Sequence, residues 1–405
     1  MPEVEFSSML EVVPSVGIGD TFFDAFTTQR RVKVKHSHID WSDSWNRLVQ
    51  VALASEGPDV SEVGTTWLGS FYTMEALRPL KLAEIAPVLD DHQFPPAIWQ
   101  TCLVGRENLP MGIPWTMDIR VVLYRRDWLQ KAGVDETAAF SDFKQFLDTL
   151  QRLKAAGHPA PLGLTTSRTF TRLIHDMACW VWSAGGELRS DDGSKMLLRE
   201  PKSRAGMEAY FGLGEFIPPA MQDMTELDVV KAFLEGKTAV AVVLERAYYR
   251  MIKDGLWQAA PEVAENLGMA MLMQTPFLGG SALAIWQHSP RVEEALKLVE
   301  FLTSVETGKI LYEHCRVTPA RLGALEQTSF AADPFYPVIQ KSLQNGRTFH
   351  SGFRWGRVEA RLVAVIEQMW SDLRANPELD IAREVKQRFS ALCDHLEHTI
   401  LRLPS

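Results

Sequence analysis

Short apolar runs alternating with stretches of helical spacing constrain this chain more than any other feature. The run KTAVAVVL (237–244) reads as a buried strand, and GGSALAIW (279–286) as another. Elsewhere apolar residues recur with a helical period. In 43–54 they fall at Trp45, Leu48, Val49, Ala52 and Leu53, one face of a helix. Segment 141–155 does the same with Phe143, Phe146, Leu147, Leu150 and Leu153, and 171–183 reads helical before Gly185-Gly186. The alternation predicts an α/β protein. Further strands are expected at 3–9, 31–37 and 59–63, with a helix at 22–28. The strand at 59–63 would return parallel to the first two, yet Glu62 fits poorly on a strand covered on both faces. Gly57 fits just beyond the end of the preceding helix. Residues 119–133 read as a strand entering a helix stopped by Gly133. Ser289 and Pro290 read as N-cap and first residue of another helix. Val358, Leu362, Val365, Ile366, Met369 and Leu373 mark a long one near the end of the chain.

With 405 residues, 46% of them apolar, the chain has core enough for two domains or more. Its net charge of −9 is spread without long runs of one sign, which argues against nucleic acid and anionic membranes as partners. No apolar stretch reaches the roughly 20 residues that span a bilayer. The opening MPEVEFSSML has neither the basic nor the apolar region of a signal peptide. Cys102, Cys179, Cys315 and Cys393 stand far apart without zinc spacing. Any of three pairings is open to them, and most are expected to be buried small hydrophobes. Sequence signatures of nucleophile elbows, phosphate loops, zinc proteases and dinucleotide sites are absent. His36 and His38 read as a solvated strand end rather than a metal pair. No metal and no cofactor are expected. Acids are too plentiful for the sequence to single out a glycosidase pair.

Twelve tryptophans are many for this length. Trp45, Trp128, Trp180 and Trp370 sit at helical spacing and read as core. Trp41, Trp67, Trp115 and Trp355 sit beside turns, glycines or polar residues. A tryptophan there needs an apolar partner for its face, and a sugar ring supplies one while its rim offers hydroxyls. Each of these stretches also carries a group suited to hydroxyls: Asp40, Thr65 with Thr66, Asp118, and Arg354.

Six stretches taken in order give the chain a likeness. They are LASEGPDVSEV, LRPL, MGIPWTMDIRVVLYRRDWLQKAGV, FLEGKTAVAVV, GGSALAIWQHS and EEALKLVEFLTSVETG. Together they resemble the extracellular solute-binding proteins of ABC transporters, in the sugar-binding group that includes maltose-binding protein. The resemblance implies a two-lobed, type II periplasmic-binding-protein-like α/β fold with a ligand cleft between lobes joined by crossing strands. It implies an N-terminal lobe of 1–118 plus 279–318 and a C-terminal lobe of 119–278 plus 319–405. It places ligand contacts at Thr65, Thr66 and Trp67, at Asp118, at Ser167, Arg168 and Thr169, at Glu245, Arg246 and Tyr248, and at Trp355. Asp40, Trp41, Gly280, Ser281 and Arg354 complete the expected ligand-binding set, with Trp67 and Trp355 on opposite lobes. The stretch SSMLEVVPSVGIGD lacks the aromatic that many relatives carry after the first strand, and no lipid-attachment cysteine is present.

The function expected is therefore a monomeric, non-enzymatic receptor that is periplasmic, or extracellular and membrane-associated. It would capture a sugar, in the di- or oligosaccharide range, and deliver it to an ABC transporter permease. Alternatives are the same fold with a polyamine or organic phosphate, and a carbohydrate-active enzyme using Asp118 or Glu245 as an acid.

Overall fold

Three strands start the chain's first sheet. β1 (Glu3–Ser8) pairs in parallel with β2 (Lys33–His38) and with β3 (Val60–Gly64), Phe6 lying opposite His36 on one side and Val60 on the other. Helices Ile18–Arg30 and Trp41–Ala54 connect them, as parallel strands require. A small hairpin of β4 (Leu103–Val104) and β5 (Leu109–Pro110) follows. The long strand β6 (Ile113–Arg125) comes next, then β7 (Leu162–Gly163), β8 (Val240–Leu244), β9 (Leu267–Met271), β10 (Leu278–Ile285) and β11 (Thr318–Pro319).

The computed structural model describes residues 1–10, 18–89, 93–105, 107–167, 172–249, 258–349 and 354–401. The chain groups into two units. The first takes 1–118, 278–336 and 348–356; the second takes 119–277, 337–347 and 357–405.

In the first unit, β10 runs antiparallel to β3 with Ser281 opposite Gly64, and β11 pairs with the start of β6 at Thr318 and Met117. The strand order is β2-β1-β3-β10-β6. One side of this sheet is covered by a core that includes Leu48, Val63, Phe71, Ala282 and Trp286. Leu48 comes from the helical face expected at 43–54, so the sequence period and the packing agree. Gly280 has φ +135°, and a Cβ there would lie 2.0 Å from the Thr116 carbonyl oxygen, so only glycine fits.

In the second unit, the later half of β6 lies between β8 and β9, antiparallel to both, and β7 joins β8 in parallel. The helices Arg172–Ser183, Pro201–Gly212 and Ile381–Leu396 supply Trp180, Tyr210, Phe211 and Phe389 to its core. Arg120 and Asp176 form a buried ion pair at 2.7 Å.

Several sequence expectations change. Residues 319–336 and 348–356 belong to the first unit, not the second. The Ala320 N–H donates to the Trp115 carbonyl and the Arg321 side chain to the Val88 carbonyl, and those bonds hold the segment there. Strand β6 begins at Ile113, so the stretch read as a loop around Trp115 is strand; its indole is buried and donates to the Leu302 carbonyl at 3.1 Å. Ser289 caps no helix. That helix starts at Val292, and the Ser289 hydroxyl donates to Asp59. The helix before β3 closes on Ser55 in the left-handed region rather than near Gly57. The long helix expected around 358–373 runs from Trp355 to Ala375, which makes Trp355 its first residue.

Candidate functional site

In the first unit, the carboxyl ends of β1 and β3 and the start of β10 share one edge of the sheet. Open α/β sheets bind ligands outside such strand ends. The chain turns sharply after β3: the Trp67 N–H donates to the Gly64 carbonyl at 2.9 Å, and the Thr65 N–H to the Gly280 carbonyl at 3.0 Å. Thr65 and Thr66 are buried by this turn, while Trp67 is only half buried. Its indole lies over Gly64, where a Cβ would come within 3.1 Å of the ring.

Trp67 does not stand alone. Trp41 and Trp45 meet it edge-on, with ring centroids at 5.8 and 5.5 Å. Trp41 is the first residue of helix Trp41–Ala54 and Trp45 lies one turn on, so helix geometry brings both to the same ring. Asp40 caps that helix, accepting from the Ser42 N–H at 2.7 Å and from the Ser42 hydroxyl. The Ser42 hydroxyl bond, more than any other influence, holds the Asp40 carboxyl below its usual range. Three of the expected ligand residues, Asp40, Trp41 and Trp67, thus form one aromatic and acidic surface. Trp45, read as core, is a half-buried fourth member that periodicity alone assigned to packing.

A second group centres on the strand that leads into this turn. Glu62, on β3, is 3% exposed. Its Oε2 accepts the N–H groups of Met9 at 2.7 Å and Leu10 at 3.1 Å. The Ser281 side chain also bonds to it, and the Ser281 and Thr116 hydroxyls meet at 2.7 Å. Burial, above all, raises the Glu62 carboxyl to about 7, and the nearby Asp118 charge adds to the rise. Asp118, half buried at the end of the first unit, and Ser281, fully buried, were expected from the sequence; Glu62 was noticed only as a misfit.

Trp355 departs from expectation. It is 2% exposed and packs on Phe349 with ring centroids 4.8 Å apart, within the first unit rather than the opposite one. Arg354 before it takes φ 67°, and a Cβ on Gly356 after it would lie 2.2 Å from Ser70 Oγ. The turn into the helix folds the ring inward.

In the second unit, β8 leads straight into a short helix, Glu245–Ala247. Glu245 is fully buried and accepts the Ile119 N–H at 2.7 Å; Tyr248 is largely buried against Tyr249, ring centroids 4.8 Å apart, and Arg246 is half buried. Ser167 is buried, and its N–H donates to the Met224 carbonyl at 3.3 Å. Arg168 and Thr169 lie outside the described residues. A cavity of about 670 Å³ in the first unit sits among helices, lined by Phe22, Val88, Phe301 and Ile310, and shares no residue with the strand-edge group.

Among the described residues no helix is long and apolar enough to cross a membrane, and no cluster of His, Cys, Asp and Glu is arranged to hold a metal. Cys102, Cys179 and Cys393 are buried, and burial pushes the Cys102 and Cys179 thiols up to about 12.

Residues 21–338 match the family model described as bacterial extracellular solute-binding protein. The chain is 26% identical over 281 residues to a probable ABC transporter-binding protein of Deinococcus radiodurans, covering 66% of this chain and 64% of that protein. It is 26% identical over 390 residues to the maltooligosaccharide ABC transporter solute-binding lipoprotein of Streptococcus pneumoniae, covering 90% of this chain and 85% of that one. The solved sugar-binding protein MalE of Xanthomonas citri superposes with a TM-score of 0.79 at 19% identity, covering 99% of this chain and 100% of that one. At that identity the likeness fixes the fold, which is the two-lobed α/β fold of periplasmic binding proteins.

Proposed function

Because the chain belongs to the family of bacterial extracellular solute-binding proteins, we propose that it captures a carbohydrate and hands it to the permease of an ABC transporter. The observation that carries this reading is the half-buried Trp67, set over Gly64 with Trp41 and Trp45 against it, at the strand ends of the first unit. A ring held there by its neighbours is an apolar platform for a sugar face, fixed before the ligand arrives. In the same unit, Asp40 and Asp118 are acceptors for hydroxyl groups. Trp355, being core, is not part of the proposed surface. Asp118 and Glu245 act as hydrogen-bonding groups and not as acids in glycoside cleavage.

The protein works outside the cytoplasm as a monomer, without a cofactor, and binds no nucleic acid. The named relatives favour an α-glucan fragment: one is a maltooligosaccharide-binding lipoprotein, another the sugar-binding protein MalE. A thermal-shift series with maltose, maltotriose and maltotetraose tests the reading, since a ligand bound only by the folded state raises Tm. Spermidine and glycerol 3-phosphate in the same series test the polyamine and phosphate alternatives. A rise with either of those and none with any sugar overturns the carbohydrate reading. Release of glucose during a long incubation with maltotriose overturns the non-enzymatic one.

A further inference from the structure

We propose that Glu62 is a positioning residue for the ligand, its carboxylate clamping the segment after β1 to the ends of β3 and β10. The ligand half of this inference rests on the carbohydrate reading above; the clamp itself does not. Glu62 reaches out of the middle strand of three. Met9 and Leu10 follow directly on the first, and their N–H groups are the donors it holds at 2.7 and 3.1 Å. Ser281, on the third, bonds to the same carboxyl group and at 2.7 Å to Thr116 on β6. One side chain thus ties four segments at the strand edge where Thr65, Trp67 and Asp118 stand.

The clamp has two states. Ionised, Glu62 offers only acceptors, so Ser281 donates to it and accepts from Thr116. Its bonds to the two N–H groups are then charge-assisted and about twice as strong as neutral ones. Protonated, the carboxyl must donate, and the Ser281–Thr116 pair of hydroxyls can reverse to take that proton. Met9 and Leu10 are then held by a neutral oxygen. Burial brings this change to about pH 7; while the carboxyl stays buried, its hold on the two N–H groups is stronger above neutrality than below, although the folded state as a whole loses stability as the proton leaves.

Among the described residues, the titratable groups facing the knot are Asp118 from β6 and His36 and His38 from β2. His36 bonds to the Ser8 hydroxyl at 2.9 Å, and burial, helped by the His38 charge, lowers it to about 4, so it stays neutral across the range. The His38 ring contacts the Leu10 carbonyl at 3.2 Å.

Two measurements test this. Hydrogen exchange at Met9 and Leu10 in the free protein, corrected for the intrinsic effect of pH, should show protection falling several-fold from pH 8 to pH 6. In Glu62→Gln it should be low and flat. Affinity for maltotriose should fall about tenfold over the same range in the wild type, the size expected for weakening bonds to a charged group, and stay flat in Glu62→Gln. Protection that does not change with pH overturns the clamp, and the wild-type series gives that answer even if the variant fails to fold. A response that persists in Glu62→Gln but vanishes in His38→Gln assigns it to the imidazole and also overturns the clamp. If exchange responds as expected but affinity does not, Glu62 is structural only. If none of maltose, maltotriose and maltotetraose binds, the carbohydrate reading and the ligand half fall together, while exchange still decides the clamp.

Discussion

Asp59, just before β3, and Glu62, at the middle of that strand, sit three residues apart, and both are buried, at 1% and 3% exposure. Asp59 accepts the Glu5 N–H at 2.8 Å and the Ser289 hydroxyl at 2.7 Å, and pairs with Arg291 at 3.0 Å. Glu62 accepts two N–H groups and a hydroxyl, and none of its described partners is a cation. The counter-charge makes the difference. A buried carboxylate paired with a cation fastens the fold, whereas one without a counter-charge carries the cost of its lost water. Asp59 precedes the strand at the end away from the turn of Thr65, Thr66 and Trp67, and Glu62 stands nearer that turn. Sites that break a local rule are where function is expected.

The largest test of this contrast is Asp59→Ala. It strands the Ser289 hydroxyl, the Glu5 N–H and the Arg291 charge. Breaking a buried pair costs about 3–5 kcal/mol, and the lower end applies because Arg291 is 42% exposed and keeps part of its water. Denaturant unfolding at pH 8 should show a loss of about 3 kcal/mol, with affinity for maltotriose unchanged. A small loss would mean that Asp59 is no more of a fastener than Glu62.

The second test uses the sign of the Glu62 shift. Its carboxyl rises from 4.5 in the unfolded chain to about 7 in the folded one, so the folded state binds the extra proton between those values. The stability it contributes is fully present below pH 4.5 and is lost as pH rises through 7. Subtracting the stability of Glu62→Gln removes the other carboxylates, which act in the opposite sense. Glu84, for example, is held at about 2, chiefly by its bond to Arg78. The difference should fall by about 3 kcal/mol from pH 4 to pH 8. Glu62→Gln at pH 8 is then neutral or stabilising while it weakens binding, the reverse of Asp59→Ala. A difference that stays constant with pH would remove the contrast.

The same strand shows how far local sequence reaches. The helix at 43–54, the parallel strand after it and the buried strands near 240 and 280 were legible because period and composition are local signals. Glu62 was legible only as a residue that did not belong, because its donors lie 53 and 52 residues back in the chain. Ser289 looked like an N-cap because Pro290 follows it, but Asp59, 230 residues away, takes its hydroxyl. The family likeness singled out Thr65, Thr66 and Trp67 as ligand contacts, and the structure sets the three in one turn after β3. The likeness misplaced Trp355, whose direction is set by the backbone turn at Arg354 and the approach of Gly356 to Ser70. Trp115 sits between Pro114 and Thr116, and those polar and turn-forming neighbours imitate a loop. The strand pairing that identifies β6 comes from distant residues.

The smallest expected effect separates tryptophans rather than carboxylates. Trp67, Trp45 and Trp115 all belong to the first unit, and their burial ranks them: half buried for Trp67 and Trp45, 5% exposed for Trp115. Trp115 also spends its N–H on the Leu302 carbonyl and packs on Phe6, centroids 5.9 Å apart. Trp115→Ala should therefore cost about 3–5 kcal/mol of stability, as for other buried aromatics, and serves as the core standard. Trp67→Ala removes edge-on contacts to Trp41 and Trp45, each worth about 0.5–1.5 kcal/mol beyond area, and uncovers Gly64. Its stability loss should be about 1–2 kcal/mol, with a tenfold or greater loss of affinity for maltotriose, on the order of 1.4 kcal/mol. Trp45→Ala should lose similar stability with a smaller effect on affinity, since its ring also leans on Phe71, at 5.5 Å, in the core beneath. Unfolding of the free variants and titration calorimetry with maltotriose read the two quantities separately. Equal affinity losses for Trp67→Ala and Trp45→Ala would mean that the whole aromatic group meets the sugar. A loss of stability in Trp67→Ala as large as that in Trp115→Ala, with affinity intact, would make Trp67 one more core ring and leave the strand edge without its platform.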